Sequence, residues 1–262
     1  MTRAARSLVV LTAAGLLAAC TSDGQLGENG LVRFSQVVHF ADTDDFTAPL
    51  AMNRTLLVAL QSPHDNSIGD EETLADLRIE VRWEDGGKLD RAWPLGFGQH
   101  AINIDEEGEF RIVALRDDTP IDSVRLSVVE QARIRFSQRY VVTTYGPDNK
   151  CVEVKSHDSG LENFVLRPNQ ALTVYVVSED DQGRALLGLL PLSAIVPSGM
   201  FVDSQLVGHG AMANALTLAP GSAELGSEMS IRVRDEETRQ ELTLNLKTDP
   251  TDAVLDCEQS GN

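Results

Sequence analysis

Apolar and polar residues alternate along this chain with a period of two, and that pattern confines it to extended structure. Leu77, Ile79, Val81 and Trp83 alternate with Arg78, Glu80 and Arg82. Met229, Ile231 and Val233 alternate with Ser230, Arg232 and Arg234, and Leu242, Leu244 and Leu246 with Glu241, Thr243, Asn245 and Lys247. Val32, Phe34, Val38 and Phe40 share a face, as do Leu172, Val174 and Val176; Ile134, Phe136, Tyr140 and Val142 alternate with Arg133, Arg135, Ser137 and Arg139. Strands are also predicted at Phe110 to Leu115 and Val124 to Val129, with a turn over Arg116 to Pro120 between them; Glu84-Asp85-Gly86-Gly87 is a second turn. Leu186 to Val196 is apolar enough for a short helix, but Pro191 and Pro197 oppose one. Short strands separated by regular turn signals predict an all-β chain of antiparallel β-sandwiches.

The pattern repeats. Arg33-Phe34-Ser35-Gln36 recurs as Arg135-Phe136-Ser137-Gln138. The segment Pro49 to Val58 parallels Val165 to Val174, and Arg116-Asp117-Asp118 precedes a strand as Arg234-Asp235-Glu236 does. Three matches in the same order favour a duplication, with an insertion near Cys151 in the second copy. The expected units are residues 31–130 and 131–262, the second with the insertion and a C-terminal tail. Each is large enough to bury its own core.

In the second half, Leu172 to Val177, then Glu179-Asp180-Asp181-Gln182-Gly183-Arg184-Ala185-Leu186, then Leu216-Thr217-Leu218-Ala219-Pro220-Gly221-Ser222-Ala223 resembles bacterial immunoglobulin-like domains. Pro191 to Pro197 stands where that family carries a Trp-Ser-Ser segment. The resemblance covers roughly residues 165–248 and reaches the first half through the repeat. It implies two tandem immunoglobulin-like sandwiches, and a role as spacer, adhesion or assembly module.

The first residues obey different rules. Arg3 and Arg6 precede an apolar run from Leu8 to Ala19, the order of a secretory signal peptide and too short to span a bilayer as a mature helix. Leu17-Ala18-Ala19-Cys20 resembles the lipobox of bacterial lipoproteins. That resemblance implies removal of residues 1–19, diacylglycerol on the Cys20 thiol and an acyl chain on its new amine. Residues 20–30, rich in Ser, Asp, Gly and Asn, are then read as the lipidated Cys and a flexible tether. Thr21 in place of Asp resembles the sorting pattern for the outer membrane of Gram-negative bacteria. A net charge of -18 disfavours nucleic acid and electrostatic adhesion to an anionic membrane, which leaves the acyl chains to hold the protein.

Chemistry is sparse elsewhere. Cys151 and Cys257 remain after Cys20, an even pair that suggests one disulfide in an exported chain. No Gly-x-Ser-x-Gly elbow or His-Glu-x-x-His pair is present, and Ser156-His157-Asp158-Ser159-Gly160 is read as a polar loop. Asp42 and Asp44, Asp105 and Asp180 head clusters of hard oxygen ligands that would suit calcium, though none follows the twelve-residue calcium loop. Trp83, Trp93 and Phe97 are candidates for a saccharide platform, with Trp83 assigned to the core by its place on an apolar strand face. The reading as a whole is a non-enzymatic, lipid-anchored envelope protein that meets a protein or polysaccharide partner. The alternatives are a calcium- or saccharide-binding envelope lipoprotein and, third, a hydrolase with an unrecognised site.

Overall fold

The computed structural model describes residues 24–43, 45–62, 77–96, 98–146, 151–162, 164–203, 212–226 and 228–255. Among these residues the alternation becomes twenty strands in four sheets, stacked as two sandwiches. In the first sandwich one sheet has β1 (Gln25–Leu26), β2 (Arg33–Gln36), β4 (Thr55–Gln61), β8 (Gln99–Asn103) and β7 (Ala92–Gly96), side by side in that order. Its second sheet runs β3 (Leu50–Ala51), β10 (Thr119–Val129), β9 (Gly108–Arg116), β5 (Leu77–Trp83) and β6 (Lys88–Leu89). The third sheet runs β12 (Val152–His157), β11 (Arg133–Tyr145), β14 (Gln170–Glu179), β18 (Ala215–Ala219) and β17 (Phe201–Asp203), with β15 (Ala185–Leu186) paired to β14. The fourth is β13 (Val165–Leu166), β20 (Glu241–Thr248), β19 (Glu228–Asp235) and β16 (Leu192–Ile195).

These are two tandem immunoglobulin-like sandwiches with matching strand orders. β2, β4, β8 and β7 have counterparts in β11, β14, β18 and β17. Among the described residues the named strands within each sandwich pair antiparallel except at one place: β3 lies parallel to β10, with Leu50 beside Val128, and β13 lies parallel to β20, with Leu166 beside Thr248. In each case the chain crosses to the opposite sheet for the short strand and then returns to the sheet it left, and both leucines are fully buried. The inward faces are those the alternation marks. Phe34, Leu56, Ile102, Phe110, Ile112 and Leu126 fill the first core; Leu172, Leu216, Ile231 and Leu246 fill the second. Each such side chain contributes about 1.5–3 kcal/mol by leaving water.

Three features differ from the sequence expectation. The segment read as a flexible tether is folded from Gly24 onward: Gln25 and Leu26 pair with Phe34 and Arg33, so the N-terminal segment supplies the edge strand of the first sheet. In the second sandwich the hairpin β11–β12 occupies that edge, which gives the insertion after β11 its structural meaning. Ser156 and His157, read as loop, end β12, and the His157 ring stacks on Tyr140 at 4.8 Å. Lastly, Leu187 and Ala213 from the second half are buried in the first core, so that core is not closed by its own residues alone.

Candidate functional site: the junction of the sandwiches

Gln131 and Ala132 are all that separates β10 from β11, apart from Glu130. With so short a connection the second sandwich must sit directly on the first. Backbone pairing joins them in three places. Leu187 N donates to Pro49 O at 2.8 Å and Ala51 N to Leu187 O at 3.0 Å. Leu189 N donates to Thr55 O at 2.9 Å, and Ala213 N to His39 O at 2.6 Å. Around these, Ala41 packs with Val141, Tyr175 and Val177 on the outward side of the third sheet.

Arg54 stands at the centre. It precedes β4, after Asn53 in the left-handed region at φ 64°, and it is 2 % exposed. Its guanidinium reaches carboxylates at the β19–β20 turn: Nη2 donates to Asp235 Oδ2 and Nη1 to Glu237 Oε2, both at 2.5 Å. Nε and Nη2 also donate to Gln131 Oε1 at 3.3 and 3.1 Å, and Gln131 Nε2 donates to Asp235 Oδ2 at 3.0 Å. Thr238 Oγ1 adds a bond of 2.6 Å to the same oxygen. Asp235 is fully buried. Burial pushes its pKa up, but the Thr238 and Gln131 hydrogen bonds and the Arg54 charge outweigh that and hold it below the ordinary carboxylate range. Gly188 (φ 122°) lies over the arginine stem; a Cβ there would be 2.4 Å from Arg54 Cβ. A buried cation is tolerated only with such a shell.

A second ionic group lies nearby. Arg133 Nε and Arg135 Nε donate to the two oxygens of Glu179 at 2.6 and 2.5 Å. Arg135 Nη1 and Ser137 Oγ donate to Asp42 at 2.7 and 3.0 Å, tying the first sandwich to the second. Burial raises the Glu179 pKa, and the hydrogen bonds from Arg135 and Arg133 more than reverse the effect. The arrangement is suited to holding two modules at a fixed angle.

The sequence-predicted residues are not brought together. Asp42 serves Arg135, Asp105 accepts from Arg91 Nη2 at 2.7 Å, and Asp180 is buried in its own turn. Asp180 accepts from Gln182 N, Arg184 N and Arg184 Nε at 2.9, 2.8 and 2.6 Å. Among the described residues no three Cys, His, Asp or Glu side chains form a metal-holding group. Cys20, Asp44, Phe97 and Cys257 lie outside the described residues; Cys151 leads into β12. Trp83 packs on Phe110 at 4.4 Å in the second sheet, whereas Trp93 is 45 % exposed on β7 of the first sheet. The two tryptophans therefore share no platform.

A second anchor, Asp122, also escaped the sequence reading. It lies on β10 in phase with the inward-facing Val124, Leu126 and Val128 and is 2 % exposed. Its carboxylate accepts from the backbone N of Asn29, Leu31, Val32 and Ser123 at 2.7–2.9 Å. Gly27 passes so close that a Cβ would fall 2.2 Å from Asp122 Cγ. A carboxylate in the apolar phase of a strand was the available signal for Asp122; Arg54, in the polar interval before β4, offered none.

No protein-family model and no curated protein matches the sequence. Among solved structures, the Lin-41 filamin domain is 18 % identical over 40 % of this chain and 97 % of that one, with a TM-score of 0.23. Domains 5–6 of the S-layer protein SbsC are 13 % identical over 79 % and 95 %, with a TM-score of 0.29. The Yersinia pseudotuberculosis adhesin InvE is 11 % identical over 82 % and 57 %, with a TM-score of 0.30. Similarities this slight say nothing of what this chain binds, and the fold stands on its strand order and register.

Proposed function

We propose that this is a lipid-anchored protein of the bacterial cell envelope, delivered to the outer membrane, that works without catalysis as an assembly or adhesion module. The observation that carries the reading is the junction: a buried Arg54 shared between two carboxylates of the other sandwich holds the two sandwiches together. A pair of modules held this way presents a face of each at once to an envelope protein or polysaccharide and loses less ordering entropy on binding than a hinged pair would. The anchor is Cys20, after Leu17-Ala18-Ala19. Cys151 and Cys257 are bonded to each other in this reading. Support comes from the C-terminal tail, which runs back to the start of β12: Asn169 Oδ1 accepts from Ala253 N at 2.7 Å, and a Cβ on Gly146 would meet both Leu255 and Cys151.

The test is crosslinking in intact cells followed by purification through the native anchor, with palmitate labelling of wild type and Cys20→Ala in parallel. A specific envelope partner and a label lost in the variant are expected. Equal labelling of the two proteins removes the anchor from the reading, and recovery of no specific partner removes the assembly role.

A further inference from the structure

Every sheet ends in two edge strands, and among the described residues most of them are guarded. β1, β3, β6 and β13 have two residues each and β17 three, too few to template a partner. β16 has four. β7 carries Pro94 and a bulge before Gly96. β12, the outer strand of the third sheet, has six residues, with no Pro, no Gly and no register shift against β11. An edge of this kind offers its free backbone groups to another strand.

The hydrogen bonds around it show which groups those are. Gly146 N donates to Cys151 O at 2.8 Å, so these two residues form a hydrogen-bonded pair. Tyr145, opposite Val152, must then turn its polar groups away from β12. It does: Tyr145 N donates to Asn169 O at 2.9 Å, and Tyr145 O accepts from Asn169 Nδ2 at 3.1 Å. Val152 accordingly turns its N–H and C=O to the open side, and by alternation so do Val154 and Ser156. The side chains are open as well. Val152 and Val154 are 40 and 46 % exposed, and Lys155 and Ser156 are exposed beside them.

The order of side chains identifies the occupant. Val152-Glu153-Val154-Lys155-Ser156 carries one acid and one base, placed symmetrically about Val154. A second copy laid antiparallel with its two-fold axis through Val154 sets Glu153 opposite Lys155 on both sides of the axis. It also sets Val154 opposite Val154, and Val152 opposite Ser156, so each outward N–H and C=O meets a partner. An axis through Glu153 or Lys155 would set like charge on like. An axis through Val152 or Ser156 would leave half of the strand unpaired. Within one copy Lys155 Nζ already lies 2.9 Å from Glu153 Oε1, and in the pair the same charges alternate in sign across the seam. Two bodies of net charge -18 repel each other, and a stretch whose charges cancel is where they can touch.

We propose that two copies of this chain associate through β12, antiparallel about Val154, and join their third sheets into one continuous sheet. This goes beyond the assembly reading and does not depend on the lipid. The experiment is sedimentation of the full chain in about 0.15 M salt, where screening over about 8 Å quiets the repulsion of the acidic bodies. Wild type is expected to be a dimer. Glu153→Lys or Lys155→Glu alone sets like charges opposite each other at both places and should raise the dimer Kd about tenfold. The double reversal restores opposite pairs and should return the wild-type Kd, and a mixture of the two single variants should form the mixed dimer. The register is read separately. Two Val154 Cα atoms in a hydrogen-bonded pair lie about 5.5 Å apart, within reach of a disulfide. Val154→Cys should therefore crosslink to itself on mild oxidation, and Val152→Cys and wild type should not. A wild type that stays monomeric overturns the proposal, as do single reversals that dimerise like wild type. Crosslinking of Val152→Cys but not Val154→Cys overturns the register. Cys20→Ala should dimerise unchanged, so failure here and failure of the lipoprotein reading are told apart.

Discussion

Arg54 shows how a single side chain can set the relation between two modules. Removing it strands Asp235 in the interior with only Gln131, Thr238 and a backbone N–H for company. Breaking a buried ion pair on one side costs about 3–5 kcal/mol. Arg54→Ala should lower the unfolding free energy measured by urea titration by an amount in that range, and Arg54→Lys should recover only part, because an ammonium cannot reach Asp235, Glu237 and Gln131 together. The acids give a pH dependence of definite sign. Asp235 and Glu179 both have folded-state pKa values below the ordinary ones. Their stabilisation is therefore complete above the unfolded values near 4, and it is lost as pH falls through the lower, folded ones. Urea midpoints should be flat near neutrality and fall in acid, and Asp235→Asn should flatten that fall. None of this was legible in the sequence. Arg54 sits in Asn53-Arg54-Thr55, a polar interval that reads as a turn, and only the docking of the other sandwich buries it.

Among the elements, the strands were legible and the edges were not. β5, β19 and β20 fall where period-two alternation places them, because each has one face on a core and one largely in water. β1 has two residues and no pattern of its own; the clamp at Asp122 makes it a strand. Asp122→Ala leaves the N–H groups of Asn29, Leu31 and Val32 without their acceptor, and the loss should be on the order of 3 kcal/mol. Hydrogen exchange should rise over residues 24–32 in that variant and stay unchanged in the second sandwich. At the other edge, Cys151→Ser should lower stability by up to about 4–5 kcal/mol if a bond to Cys257 closes its long loop. Thiol titration of the native, exported protein gives the direct check; two reactive groups there would end the pairing.

Over the whole molecule, the sequence repeat gave the right strand order but the wrong independence. Two sandwiches of this size suggest two self-sufficient cores, yet Leu187 and Ala213 complete the first from the second half. A chain ending at residue 130 should expose that gap and leave Arg54 without either carboxylate, so it is expected to aggregate, while the full chain melts in one transition followed by calorimetry. The borrowed residues also impose an order in time. A polypeptide emerges from its N-terminus, and Ala213 follows the last residue of β10 by roughly eighty positions, on the order of ten seconds of synthesis. Throughout that interval the older half has all its own strands and still lacks a wall. Its contacts with the younger half span the greatest sequence separations in the junction, the kind that form late. The first sandwich to be made is thus bound to finish together with the last, and whatever attends this chain while it is being made must keep an unfinished β-sheet from finding another until the second half arrives.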